Sequence, residues 1–354
     1  MMYFTCGPTQ LYPTINDHIK YALTNDILSI SHRDMQFMQI YERLENNLKQ
    51  IFKLPSDFHV FFLSSSLEAM EKIIQNCVNK YSFHFVNGDF SKKFYTTALE
   101  LQKIAKKIEV APGHGFKNIA KIKIPRKVEL ICFTHNETST GVETKFRDIY
   151  KIKKIYPDKL IAVDIVSSAP NPIIDFSKID LAFFSVQKGF GLPSGLSILF
   201  ANQKAIDESI YLQKNGINIG SHHNFPSLLQ KSIKFQTPET PNVLNFYLLQ
   251  KVTEDMMKKG IDRIRKETEQ KSKIIYNYFY KHKQFKPFVI NKDWQSKTTI
   301  AINTGNETKK IIKRLRKNKI IVSNGYGQFR NMQIRIANFP VHTLIGVKKL
   351  LNLI

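Results

Sequence analysis

The sequence predicts an α/β protein built on a mostly parallel sheet, with a smaller α+β unit at its C-terminal end. Three observations predict it. Short apolar runs alternate with helical periodicity from Phe58 to Phe200, the pattern of strands covered by helices on both faces. Polar, chemistry-bearing residues follow several of those runs directly, where open α/β sheets hold their ligands. A very long helical stretch over residues 243–282, broken around Gly260, then leads into a second set of strands and helices. At 354 residues the chain is long enough for two domains, read here as 15–242 (large) and as 1–14 with 243–354 (small).

Taken in order, Gly7-Pro8 to Pro13 is a turn-rich opening that cannot be a regular element. Residues 15–21 have helical spacing, and 29–33 are polar before an amphipathic helix over 34–52. FHVFFL at 58–63 reads as a strand. Ser64-Ser65-Ser66 precedes a helix over 67–78, either as an ordinary serine cap or as an anion cradle. A strand over 82–87 and the turn Gly88-Asp89-Phe90 lead to a helix over 92–106. Residues 128–134 form another strand, followed by the polar loop His135 to Gly141. A short helix over 148–156 precedes the apolar run 160–170, which Asp164 interrupts. Residues 181–186 and 196–200 are strands joined by a turn that Gly189, Gly191, Pro193 and Gly195 force. A helix over 204–215 precedes the irregular stretch 216–235, which carries His222-His223. The C-terminal unit has strands over 298–303, 320–323 and 332–337, with helices over 307–317 and 341–351.

Lys188 draws notice because it sits where a buried strand gives way to a loop. A lysine in apolar surroundings loses solvation, its pKa falls, and its free amine becomes a nucleophile for a carbonyl carbon. The other reading is a strand-end lysine that snorkels to the surface. Asp164, at the end of a neighbouring apolar run, is either a cap or ion-pair partner or the carboxylate that a cationic ring nitrogen requires. Arg335 stands between Ile334 and Ile336, and its spacing aims it away from their apolar face. The other reading there is a simple edge-strand arginine.

Asp164 with Ser167 and Ser168, Gln187-Lys188-Gly189 and Pro193-Ser194-Gly195-Leu196 resemble the class V, fold type I pyridoxal-phosphate aminotransferases. The resemblance extends along nearly the whole chain, through GPTQLYP, SHR, SSSLEAMEK, NGDF, HNETSTG and QTP. Ser31-His32-Arg33 is most similar to the phosphoserine aminotransferases of that class. The resemblance implies a seven-stranded, mostly parallel sheet, pyridoxal 5'-phosphate as cofactor, and a homodimer with shared active sites. It implies Lys188 on the cofactor aldehyde and as proton carrier, and Asp164 on the ring nitrogen. Phe90 would stack on the ring, and Thr138 and Gln187 would position it. Ser65, Ser66, Gln236 and Thr237 would hold the phosphate, the last two across the dimer interface. His32 and Arg33 would take the substrate's phosphate or carboxylate, and Arg335 its α-carboxylate. Two departures stand out: serines replace the usual glycines of the phosphate loop, and Gln236 replaces an asparagine, one methylene longer but able to donate the same amide hydrogen bond.

The implied activity is phosphoserine:2-oxoglutarate transamination in serine biosynthesis, with glutamate as amino donor. The alternative on the same fold is an alanine:glyoxylate or serine:pyruvate transaminase. A cysteine desulfurase fits poorly, because no cysteine follows Cys132. His135 is an inferior general base to a lysine that already carries the proton. His222 and His223 are loop residues near the substrate, and adjacent histidines do not chelate one metal from regular backbone, so no metal is expected. The net charge of +24 is scattered over helical segments rather than gathered beside aromatic residues, which argues against nucleic acid. No run is long and apolar enough for a membrane span, the N-terminus carries no charged leader or signal core, and three cysteines without metal or disulfide spacing fit a cytoplasmic protein.

Overall fold

The computed structural model describes residues 1–354. A short strand β1 (Met2–Phe4) comes first, then α1 (Ile15–Thr24) and α2 (Met35–Phe52), which starts where the Asp34 carboxylate accepts the Gln36 amide at 2.8 Å. The alternating part follows: β2 (Phe58–Leu63), α3 (Ser66–Cys77), β3 (Tyr81–Val86), α4 (Asp89–Glu100), β4 (Ile104–Glu109) and β5 (Leu130–Thr134). A small hairpin of β6 (Asn136–Glu137) and β7 (Val142–Glu143) precedes α5 (Phe146–Ile155), β8 (Leu160–Asp164), β9 (Leu181–Ser185) and β10 (Ser197–Asn202). Next come α6 (Gln203–Lys214), α7 (Phe225–Ser232), α8 (Val243–Lys259) and α9 (Ile261–Lys281). The chain closes with β11 (Lys286–Pro287), β12 (Thr299–Asn303), α10 (Thr308–Lys317), β13 (Ile320–Asn324), β14 (Gln333–Ala337) and α11 (Leu344–Leu351).

Seven strands form the main sheet in the order β2-β10-β9-β8-β5-β3-β4, and only β10 runs against its neighbours. The other six therefore end on one edge, and the loops that leave that edge carry the site. LICFT, LIAVD and LAFFS bury every residue because helices cover both faces. On one side α1, α2, α5 and α8 close a core of 48 buried residues; on the other α3, α4, α6 and α7 close one of 23. Each fully buried Leu, Ile or Phe contributes about 1.5–3 kcal/mol, so these two layers hold the sheet rigid beneath its loops.

A second, five-stranded sheet runs β1-β13-β14-β12-β11, with α9, α10 and α11 packed on it through a 16-residue core. β14 lies inside this sheet, which removes the edge-strand reading of Arg335. At Gly260 the backbone takes φ +90°, a left-handed value that ends α8 and starts α9 in a new direction.

The structure departs from the sequence reading in three places. The helix expected over 92–106 stops at Glu100, and residues Ile104–Glu109 are instead the edge strand β4, parallel to β3. Gln102, at φ +60°, turns the chain between them. IAKKIE buries only Ala105 fully, so its lysines mimic the solvated face of a helix; charged residues are also what an exposed sheet edge carries. β1 went unread because three residues carry no periodicity. Residues 243–259, assigned above to the smaller unit, send Phe246, Leu249, Val252 and Met256 into the 48-residue core, because α8 packs across α2.

Candidate active site

Asp164 is the last residue of β8, paired in register with Thr134 of β5 and Phe183 of β9. Its side chain is buried, and Oδ1 accepts the Val166 amide at 2.8 Å. Burial pushes its carboxyl up to about 7, against the pull of the Val166 amide and the Lys188 charge. Lys188 lies three residues beyond β9 and is only 7% exposed, so it does not snorkel. Burial brings its amine down to about 8, and the charge of Asp164 limits the fall. One glycine lets its loop pack against the 169–170 segment, and another makes room for its side chain. Gly189 lies where a Cβ would stand 1.8 Å from the Ala169 carbonyl oxygen, and a Cβ on Gly7, at φ +133°, would come within 2.9 Å of Lys188 Cε.

The Lys188 ammonium donates to Thr138 Oγ1 at 3.0 Å, and it sits 5.1 Å from the centre of the Phe90 ring. Thr138 has a second cationic neighbour: Arg335 Nη1 donates to its carbonyl at 2.9 Å, while Arg335 Nε donates to Asn324 O at 2.9 Å. Arg335 is mostly buried, and Tyr326 lies across both it and Phe90, 5.2 Å from the guanidinium and 5.3 Å from the ring centre. Lys188 and Thr138 from two loops, Asp164 and Arg335 from one strand of each sheet, and Phe90 from the start of α4 therefore share one place. Gln187 is half-buried beside Lys188 and accepts the Thr9 amide through its carbonyl at 3.1 Å.

Ser65 and Ser66 stand at the start of α3, on the same sheet edge. Ser65 caps the helix by accepting the Glu68 amide at 3.1 Å, so the capping reading holds. Ser66 also bonds the Ser185 hydroxyl at the end of β9, its amide donating at 3.1 Å, and reaches Ser197 at 3.3 Å. Arg33, Gln236 and Thr237 form a separate group: exposed Arg33 donates through Nη1 to Gln236 Oε1 at 2.8 Å and to the Thr237 carbonyl at 3.0 Å. His32, half-buried beside them, has its pKa lowered by burial and then by the Arg33 charge. Within one chain Arg33 bonds Gln236 and Thr237, and none of these three, nor His32, bonds Lys188.

His135 is buried, stacked on Phe146 at 4.4 Å and bonded to Ser168 Oγ at 2.9 Å, and burial takes it down to about 4; it props the loop. His223 is not loose in its loop but lies between Glu68 and Glu239. No group of metal-ligating side chains occurs. Tyr326, Ser185, Ser197 and the Gly7 approach escaped the sequence reading, since each acts through a contact distant along the chain. A cleft of about 720 Å³ between Thr14, Lys258 and His342 is lined by none of these residues.

The model of the aminotransferase class-V family matches residues 2–334. The chain belongs to this family. This class-V aminotransferase is 47% identical to a phosphoserine aminotransferase of Cytophaga hutchinsonii of known structure, with 99% of this chain and 97% of that one covered and a TM-score of 0.97. It is 25% identical to the phosphoserine aminotransferase of Nocardioides sp. over 343 residues, which is 95% of this chain and 90% of the relative. An aspartate aminotransferase of Thermus thermophilus, 18% identical, covers all of this chain and 97% of its own with a TM-score of 0.83, and so shares the fold. The cofactor of this class-V aminotransferase is pyridoxal phosphate, and the donor set suits it: a buried amine for the aldehyde, a buried carboxyl for the ring nitrogen, an aromatic face beside the amine, and hydroxyls with amides at a helix start for the phosphate. No helix is long and apolar enough to cross a membrane.

Proposed function

We propose that this enzyme is a phosphoserine:2-oxoglutarate aminotransferase of serine biosynthesis, a cytoplasmic homodimer whose two active sites are shared between subunits, with glutamate as amino donor. The observation that carries the transamination is the buried Lys188 amine on Thr138, at the end of the strand beside Asp164. The preference for a phosphorylated substrate is supported by Arg33, an exposed guanidinium that uses only Nη1 to hold the segment Gln236-Thr237 and keeps a planar fork for an anion. The names of the Cytophaga hutchinsonii and Nocardioides relatives agree with it. Three buried free thiols accord with a reducing compartment.

Pyridoxal phosphate bound here supplies an aldehyde to the amine and a protonated ring that draws electrons from the substrate carbon. Lys188 carries the proton from the substrate's Cα, and its lowered pKa leaves a useful fraction of free amine near neutrality. Asp164 keeps the ring nitrogen protonated, and Phe90 covers one ring face, worth about 1 kcal/mol beyond area. Thr138 and Gln187 orient the ring, Ser65 and Ser66 take the phosphate, Gln236 and Thr237 reach the cofactor phosphate of the partner, and His32 and Arg33 take the substrate's phosphate or carboxylate. Arg335 receives the α-carboxylate. We divide the chain into a large cofactor domain and a small one, joined at Gly260 because α8 packs into the larger core.

A half-reaction tests this. Purified protein is mixed separately with glutamate, phosphoserine, alanine and serine, and the bound cofactor's absorbance is followed. Glutamate and phosphoserine are expected to convert it. Conversion by alanine or serine without phosphoserine would transfer the enzyme to the alanine:glyoxylate or serine:pyruvate type.

A further inference from the structure

Glu68 stands in the first turn of α3, beside the serines at the helix start. Its Oε2 accepts the Ser64 amide at 2.7 Å and the Ser64 hydroxyl at 2.5 Å. A carboxylate is stable at a helix N-terminus, where it meets free amides and the positive end of the helix dipole. It is a poor neighbour for a phosphate dianion, which seeks the same amides and is repelled by the charge. His223 bears on both problems. Its Nδ1 bonds Glu68 Oε1, its Nε2 bonds Glu239 Oε2 at 2.5 Å, and its side chain is 8% exposed. With a carboxylate at each ring nitrogen, both nitrogens carry protons and the ring is an imidazolium. Burial alone would strip that charge, but the two carboxylates push the ring up to about 9. Burial also opposes the Glu68 charge, and the bonds from His223 and Ser64 bring that carboxyl down to about 2. Glu239 in turn accepts the Thr237 hydroxyl through its carbonyl at 2.7 Å, so the triad fastens the 236–239 segment to the α3 loop.

We propose that His223 is a positioning residue for the cofactor phosphate: it offsets the Glu68 charge and pins that carboxylate on Ser64, keeping it off the helix start at Ser65 and Ser66. The proposal rests on the reading of the Lys188 site as a pyridoxal phosphate site.

Four cofactor-free proteins test it: wild type, His223→Ala, Glu68→Gln and the double variant. Each is titrated with pyridoxal phosphate and with pyridoxal, which lacks the phosphate, and binding is read from ligand absorbance, with thermal unfolding as a check on folding. His223→Ala is expected to weaken pyridoxal phosphate binding by about tenfold, the scale of one uncompensated charge near a partly screened anion, and to leave pyridoxal binding unchanged. Adding Glu68→Gln is expected to restore affinity to within about threefold of wild type, because removing both charges of a coupled pair cancels most of the single loss. Equal losses for both ligands, no loss at all, or a loss that Glu68→Gln fails to relieve would each overturn the proposal. Should His223→Ala not fold, Glu68→Gln alone decides: affinity at or above wild type supports the role, and weaker binding sinks it. A wild type that binds no pyridoxal phosphate would instead defeat the cofactor reading itself, a separate and recognisable failure.

Discussion

Lys188 and Asp164 are both held away from water at adjacent strand ends, and burial moves each toward its neutral form, one to about 8 and the other to about 7. The amine attacks an aldehyde only when unprotonated, and a lowered pKa brings that form into the neutral range. Below about 8 the ammonium predominates, and above it the amine does. Capture of pyridoxal phosphate by the cofactor-free protein, followed by stopped-flow absorbance, is therefore expected to accelerate as pH rises through about 8 and then to level off. A rate still climbing toward the ordinary lysine range near 10.5 would mean that Lys188 is not desolvated. Thr138 is the residue through which amine and arginine are jointly placed, since its hydroxyl serves one and its carbonyl the other.

Among the elements, the joint between α8 and α9 depends on one backbone value. Gly260 holds φ +90°, which a side chain resists, so Gly260→Ala is expected to lower stability by about 1–2 kcal/mol. Urea unfolding would register the loss, and an unchanged midpoint would show the joint to be tolerant. Elements of this kind were legible beforehand because glycine punctuates a helical pattern. The strands LIAVD and LAFFS were equally plain, being mostly apolar runs, and the charged exceptions, Asp164 at the end of the first and Lys188 just past the second, marked the site. β4 was hidden because an edge strand rich in lysine carries no apolar alternation to read. Tyr326 and the Glu68 to His223 bond were hidden for another reason: the latter spans 155 residues, and only the fold brings its ends together. Loop chemistry at strand ends is local and can be read, whereas the partners of those loops are tertiary.

For the molecule as a whole, the proposed division of the site between subunits makes a prediction that a self-contained site does not. Lys188→Ala and Arg33→Ala homodimers are each expected to be nearly inactive, the first without its amine and the second without its anion fork. Co-refolded in equal amounts, they would form mixed dimers with one intact site, recovering about a quarter of wild-type activity by random pairing. If mixing recovers nothing while dimers still form, each chain completes its own site. Arg335 arrives from the five-stranded sheet and Thr138 from the turn of the β6–β7 hairpin that follows β5 of the seven-stranded one, so their 2.9 Å bond is a mooring line between the two halves. An amine that left the threonine hydroxyl for the cofactor would leave that line fast at the carbonyl. The loop need not slacken for the hydroxyl to release the amine, because its position is fixed from the opposite side.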